Sequence, residues 1–149
     1  MIRTLFTFLS IFIISSANDI NIDTIINKAK ISHKHVLIFL HRPNCGFCDT
    51  MINVTLPNEK IVKKIKKNFI FVDIDIGDNG DVIFDDFKGS KQEFAKLLGY
   101  NFYPSSVFID ENEDVVYGEQ GRKYEEQFFK ILRFVESYSY ENMDIEEFK

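Results

Sequence analysis

Val36, Leu37, Ile38, Phe39 and Leu40 follow one another without a polar break. The run is too short for an amphipathic helix, and it lacks the alternation of a strand with one wet face. It reads as a strand buried on both sides. Such a strand needs a layer of helix on each face of its sheet, which points to an α/β domain. Phe69 to Ile76 repeats the signal.

The segments around these runs supply the layers. Ile22, Ile25, Ile26 and Ala29 fall at helical spacing and predict a helix over 19–31. Glu59 to Lys67 predicts another, with Ile61, Val62 and Ile65 on the buried side and its lysines on a solvated face. Ser90 is placed to cap a short helix carrying Phe94, Leu97 and Leu98, which Gly99 ends. Ser105 to Ile109 and Asp114 to Tyr117 flank a polar turn and predict a hairpin. Residues 124–138 predict a last helix with Phe128, Ile131, Leu132 and Val135 inward. The expected architecture is α/β: a central mixed sheet of four to five strands flanked by helices on both faces. Gly77 to Ser90 is expected to be a polar connection, its acidic 77–86 part a solvated loop, and residues 140–149 a loose acidic tail.

Composition narrows the function. Of 149 residues, 45% are hydrophobic and 16 are Phe, enough for one well-filled core spanning residues 18–139. The net charge of −5 argues against nucleic acid as a partner, since phosphate recognition needs clustered Lys and Arg. Asp73-x-Asp75 leads to Gly77 where a calcium loop needs an oxygen ligand, and Asp110-x-Asn112-x-Asp114 leads to Val115 where it needs glycine. Neither reads as a calcium site.

Residues 1–17 read as an export signal. Arg3 is the positive start, Leu5 to Ile14 the apolar stretch, and Ser15, Ser16 and Ala17 the small residues before cleavage, expected after Ala17. The apolar stretch is short of the roughly 20 residues of a membrane span. Contact with the membrane is therefore expected only through the export signal, cleaved or kept as an uncleaved anchor, and the mature chain is expected in the periplasm.

Export places Cys45 and Cys48, the chain's two cysteines, where disulfides persist. A bridge between them closes a very small loop, and cross-link stabilisation grows with loop length. The pair is badly placed as a staple and well placed for redox exchange. His41, Arg42, Pro43 and Asn44 break the strand before it, and Asn44 is the expected N-cap of a helix that Cys45 opens and that runs towards Leu56. At a helix start, unpaired N–H groups and the helix dipole favour a thiolate, the form that attacks disulfides. Cys48, one turn on, is placed to resolve a mixed disulfide. His41 and Arg42 could add positive potential or serve as plain loop residues.

The strand Val36–Leu40 leading into Cys45–Gly46–Phe47–Cys48 resembles the first strand and active site of thioredoxin-like proteins. Leu98 to Asp110, containing Tyr103–Pro104, resembles that family's second signature, and Gly121 matches its glycine after the hairpin. The subgroup most similar is the exported bacterial SoxW-like proteins and, more distantly, the DsbC catalytic domain. The resemblance covers roughly residues 30–136. It implies a thioredoxin fold, Cys45 as nucleophile and Cys48 as resolving thiol. It also implies a cis Pro104 beside them, with Tyr103 offering backbone groups to an extended substrate. Gly46, Phe47, His41 and Arg42 would tune the pair. No separate cofactor is implied. The partners would be disulfide-bearing envelope proteins and a membrane electron donor or thiol oxidase, with reduction the favoured direction. The chain departs from cytoplasmic thioredoxins at Asn44, where they carry Trp, at Tyr103, where they usually carry Thr, and at Phe39, where they carry a buried Asp. Asp73 or Asp75 could substitute for that carboxylate from the neighbouring strand, or be a plain strand-end or solvated residue.

Two readings from other classes stand beside this one. His41, Cys45 and Cys48 could hold copper or zinc in a carrier, although a closed zinc site wants four ligands. Alternatively, the chain could be a redox-silent interaction module on the same fold.

Overall fold

The computed structural model describes residues 18–149; the expected export signal lies outside the described residues. β1 (Ile20–Asn21) runs directly into α1 (Ile22–Ile31), β2 (His35–His41) and α2 (Gly46–Thr50). A π-helical turn (Met51–Thr55) continues α2, and α3 (Glu59–Asn68) leads to β3 (Phe69–Asp75). β4 (Asp81–Phe84), β5 (Phe87–Ser90) and α4 (Lys91–Leu97) precede β6 (Ser105–Ile109), β7 (Val115–Gln120), α5 (Glu125–Glu136) and a short 3₁₀ turn (Ser139–Glu141). Among the described residues no helix is long and apolar enough to cross a membrane.

The central sheet has four strands in the order β3-β2-β6-β7. β2 pairs parallel with β3 and antiparallel with β6, and β6 pairs antiparallel with β7. Residues Val36 to Leu40 are fully buried, as a strand covered on both faces must be. Side chains alternate between two cores. Val36, Ile38 and Leu40 join Ile22, Ile26, Ala29 and Phe94 under α1 and α4. Leu37 and Phe39 join Ile61, Phe128, Leu132 and Val135 under α3 and α5.

The predicted elements appear with four corrections. The segment 77–90 is not a plain connection. It holds the β4–β5 hairpin, which pairs with β1 to make a second, three-stranded sheet in the order β1-β4-β5. The first helix therefore starts at Ile22, because Ile20 and Asn21 pair with Val82 and Ile83, and Asn21 caps the helix through its side chain. The tail is not loose: Tyr140, Ile145 and Phe148 pack on the α3–α5 core, and the Phe148 ring lies 5.5 Å from that of Phe134. Finally, the helix after β2 is capped by Cys45, because Asn44 takes a left-handed φ of 55° and turns the chain into it. The Ser90 cap is as expected, with a reciprocal bond between Ser90 and Glu93.

Candidate active site

The site forms where β2 ends. Ile76 N–H donates to the His41 carbonyl at 2.9 Å, which ties the end of β3 to the end of β2. The chain then turns through Pro43 and Asn44 and enters α2. Cys45 is the N-cap residue, and its own sulfur accepts the Cys48 N–H at 3.2 Å. A side-chain oxygen usually fills this role. Here a sulfur does, and negative charge on that sulfur strengthens the contact.

Cys45 and Cys48 are joined as a disulfide with their Cα atoms 5.2 Å apart. Their access to solvent differs. Cys48 is 0% exposed, whereas Cys45 is 6% exposed and sits at the surface end of the pair. Cys45 Sγ lies 3.8 Å from the Tyr103 carbonyl oxygen. In the disulfide that sulfur has no hydrogen to donate, so this is a packing contact. The Tyr103–Pro104 peptide bond is cis, and Pro104 is buried. The cysteine pair and the proline loop, 58 residues apart in sequence, thus meet at one surface.

The other candidate residues separate into distinct surroundings. His41 faces carboxylates: its Nε2 is 3.0 Å from Asp73 Oδ1 and its Nδ1 is 3.8 Å from Asp75 Oδ2. The hydrogen bond to Asp73 raises its pKa above the usual value, against a smaller opposing effect of burial. Arg42 is exposed, close enough to Tyr103 to oppose the rise that burial imposes on that phenol. Gly46 begins α2 with open space around it. Phe47, between the cysteines, is 60% exposed. Phe39, where a buried carboxylate was noted as missing, is fully buried and stacks on the His41 ring at 5.6 Å. Asp73 is exposed and Asp75 half-buried, both turned to His41. Among the described residues no group of three or more His, Cys, Asp or Glu is placed to hold a metal ion.

Sequence reasoning missed the segment after β7. Arg122 lies with its guanidinium 5.2 Å from the Phe47 ring centre, directly beside the CxxC. The one available signal was its place next to Gly121, the glycine matched in the family resemblance.

A sequence model described as a thioredoxin-like domain matches residues 22–136. The chain belongs to the thioredoxin-like family. No curated protein matches its sequence. Among solved structures, a thioredoxin-fold protein from Helicobacter pylori superposes with a TM-score of 0.64 at 20% identity, covering 77% of this chain and 76% of that one. A disulphide isomerase from Xylella fastidiosa Temecula1 gives 0.58 at 20% identity, covering 76% and 87%. A protein described as DsbH oxidoreductase gives 0.55 at 14% identity, covering 94% and 96%. At these identities the likeness establishes the fold. This thioredoxin-like domain carries its CxxC where β2 meets α2, with a proline loop against it.

Proposed function

We propose that the chain is an exported thiol–disulfide oxidoreductase of the cell envelope that reduces protein disulfides through Cys45 and Cys48. The observation that carries this reading is the asymmetry of the pair: one sulfur at the surface, capped by a backbone N–H and facing the Tyr103 carbonyl, the other sealed beneath it.

In the reduced protein, Cys45 is the thiolate. The Cys48 N–H and the start of α2 favour its charge. It attacks one sulfur of a substrate disulfide. A Cys45–substrate bond forms, and the substrate's other sulfur leaves as a thiolate and takes a proton from water. Cys48 then attacks Cys45 Sγ, and its proton passes to the substrate sulfur that this attack displaces. The first substrate sulfur leaves, and the Cys45–Cys48 disulfide remains. Two electrons pass to the substrate, and a membrane donor returns two to the pair. Tyr103 offers backbone groups to the extended substrate, and Pro104 holds that loop against the disulfide. Arg42 and Phe47 border the approach; Gly46 leaves it open. His41 fixes the base of the loop through Asp73 and Asp75. The export reading rests on residues 1–17, and the periplasm is the compartment it implies.

Cys45→Ser should lower insulin-disulfide reduction to the uncatalysed rate. Cys48→Ser should trap substrates as mixed disulfides on Cys45, visible by mass spectrometry. Activity retained in Cys45→Ser would falsify the assignment of the nucleophile.

A further inference from the structure

The loop between β7 and α5 is tied to both halves of the site. Gly121 takes a φ of 84°, a conformation that glycine adopts without strain, and its N–H donates to the Pro104 carbonyl at 2.7 Å. Two residues on, the Lys123 N–H donates to Met51 Sδ at 3.5 Å, and the Lys123 carbonyl accepts the buried Thr55 hydroxyl at 3.0 Å. Met51 and Thr55 belong to the π-helical turn that continues the CxxC helix. Arg122 therefore stands between a residue anchored on the proline loop and one anchored on the cysteine helix.

Its side chain is held as well. The guanidinium is 5.2 Å from the Phe47 ring centre and 4.5 Å from that of Tyr124, and Nη2 donates to the Tyr124 hydroxyl. Stacking on rings uses the faces of the planar guanidinium and leaves in-plane N–H donors for an acceptor. Gly46, Phe47, Thr50 and Arg122 line a groove of about 290 Å³. No carboxylate lines it, and among the described residues Arg122 has no ion-pair partner. Of the acids near its own segment, Glu119 pairs with Lys123 at 2.7 Å and Glu126 with Lys60 at 4.0 Å; Glu125 is paired with no cation among the described residues, Arg122 included, and does not line the groove. In a chain of net charge −5, a held and unpaired cation adjoins the exposed ring between the cysteines.

We propose that Arg122, seated on Phe47, is a specificity residue that receives a carboxylate flanking the target disulfide, so that the preferred substrates are acidic polypeptide segments. This rests on the oxidoreductase reading and extends it to a substrate class.

The experiment uses two disulfide peptides that differ only in carrying Glu or Lys beside the attacked cysteine, with kcat/KM measured for each. The unmodified protein should favour the Glu peptide by roughly two- to fivefold at low salt, the range of a surface ion pair. The ratio should fall towards one at 1 M salt, where charges are screened within about 3 Å. Arg122→Gln should bring the ratio to one at low salt, Arg122→Glu should invert it, and Arg122→Lys should keep its direction. Because the readout is a ratio within each variant, a general loss of activity cancels. Equal rates on both peptides for the unmodified protein, or a preference that survives Arg122→Glu, overturn the specificity assignment and leave the oxidoreductase reading intact. Failure to reduce either peptide sinks the oxidoreductase reading and this inference with it.

Discussion

β2 begins and ends with histidine, and its two ends are built in opposite ways. At the start, His35 is buried among rings: Tyr138 at 4.7 Å, Tyr140 at 5.9 Å and Phe69 at 6.0 Å. Desolvation lowers its pKa, outweighing the pull of Asp110 and Glu111. Burial likewise pushes the Tyr140 phenol up, so Tyr140 keeps its proton, and its hydroxyl shares a hydrogen bond with His35 Nε2 across 3.0 Å. At the other end, His41 sits against Asp73 and Asp75, and its pKa rises. The strand between them is fully buried from Val36 to Leu40. One end is closed with apolar rings from the tail; the end beside the cysteines is held by ions and backbone bonds. Closure by packing leaves no approach for a substrate, whereas a loop held from below leaves its outer surface free.

Removing the ring closure gives the largest stability effect. Ending the chain at Ser139 deletes Tyr140, Ile145 and Phe148 and uncovers Phe134 and His35. Full burial of such side chains is worth about 1.5–3 kcal/mol each. These three are half-buried, so the loss should be about 2–4 kcal/mol in urea unfolding. Phe148→Ala alone should cost about 1 kcal/mol on the same arithmetic. Disulfide reduction at 20 °C should be unchanged in Phe148→Ala, since the Phe148 ring packs against Phe134 and Arg133 of α5. A drop in kcat/KM there would break the separation of the two ends.

The two ends also differed in how readable they were. Val36 to Leu40, the CxxC and the Tyr103–Pro104 signature are local patterns, and the site built from them was legible as a pair of motifs. The tail was not, because Glu141, Asp144, Glu146 and Glu147 dominate its composition while Tyr140, Ile145 and Phe148 carry its packing. The β4–β5 hairpin was hidden for a similar reason. Asp81, Asp85 and Asp86 surround Val82, and the pairing that makes the segment a sheet comes from β1, some 60 residues earlier. Arg122 was invisible because its place depends on backbone bonds from Gly121 and Lys123 to two distant elements. Even the cap of the active-site helix moved by one residue, from Asn44 to Cys45, since the left-handed turn at Asn44 is set by the loop.

Titration sharpens the contrast through its sign. The folded pKa of His35 lies below the unfolded value of about 6.5, so its contribution to stability is present above pH 6.5 and lost as pH falls below it. The folded pKa of His41 lies above that value. Its contribution is full below pH 6.5 and lost as pH rises through the raised pKa. Ring-proton NMR, assigned with His35→Gln and His41→Gln, should show the two imidazoles titrating on opposite sides of 6.5. Coincident midpoints would mean that the two ends impose the same environment, against the geometry.

The smallest effect belongs to His41 itself. Its partner Asp73 is exposed, so the pair falls in the range of surface ion pairs, about 0.2–1 kcal/mol. His41→Gln keeps a hydrogen-bond donor towards Asp73 but removes the charge. At pH 5.5, where His41 is protonated, the variant should be less stable than the parent by an amount in that range. The gap should narrow as pH rises through the His41 pKa, because the parent then loses its own charge. A gap that stays constant with pH would mean that His41 acts through its shape, stacked on Phe39, and not through its charge. The ion pair would then contribute nothing to holding the base of the cysteine loop, and the Ile76–His41 backbone bond would be the tie that remains.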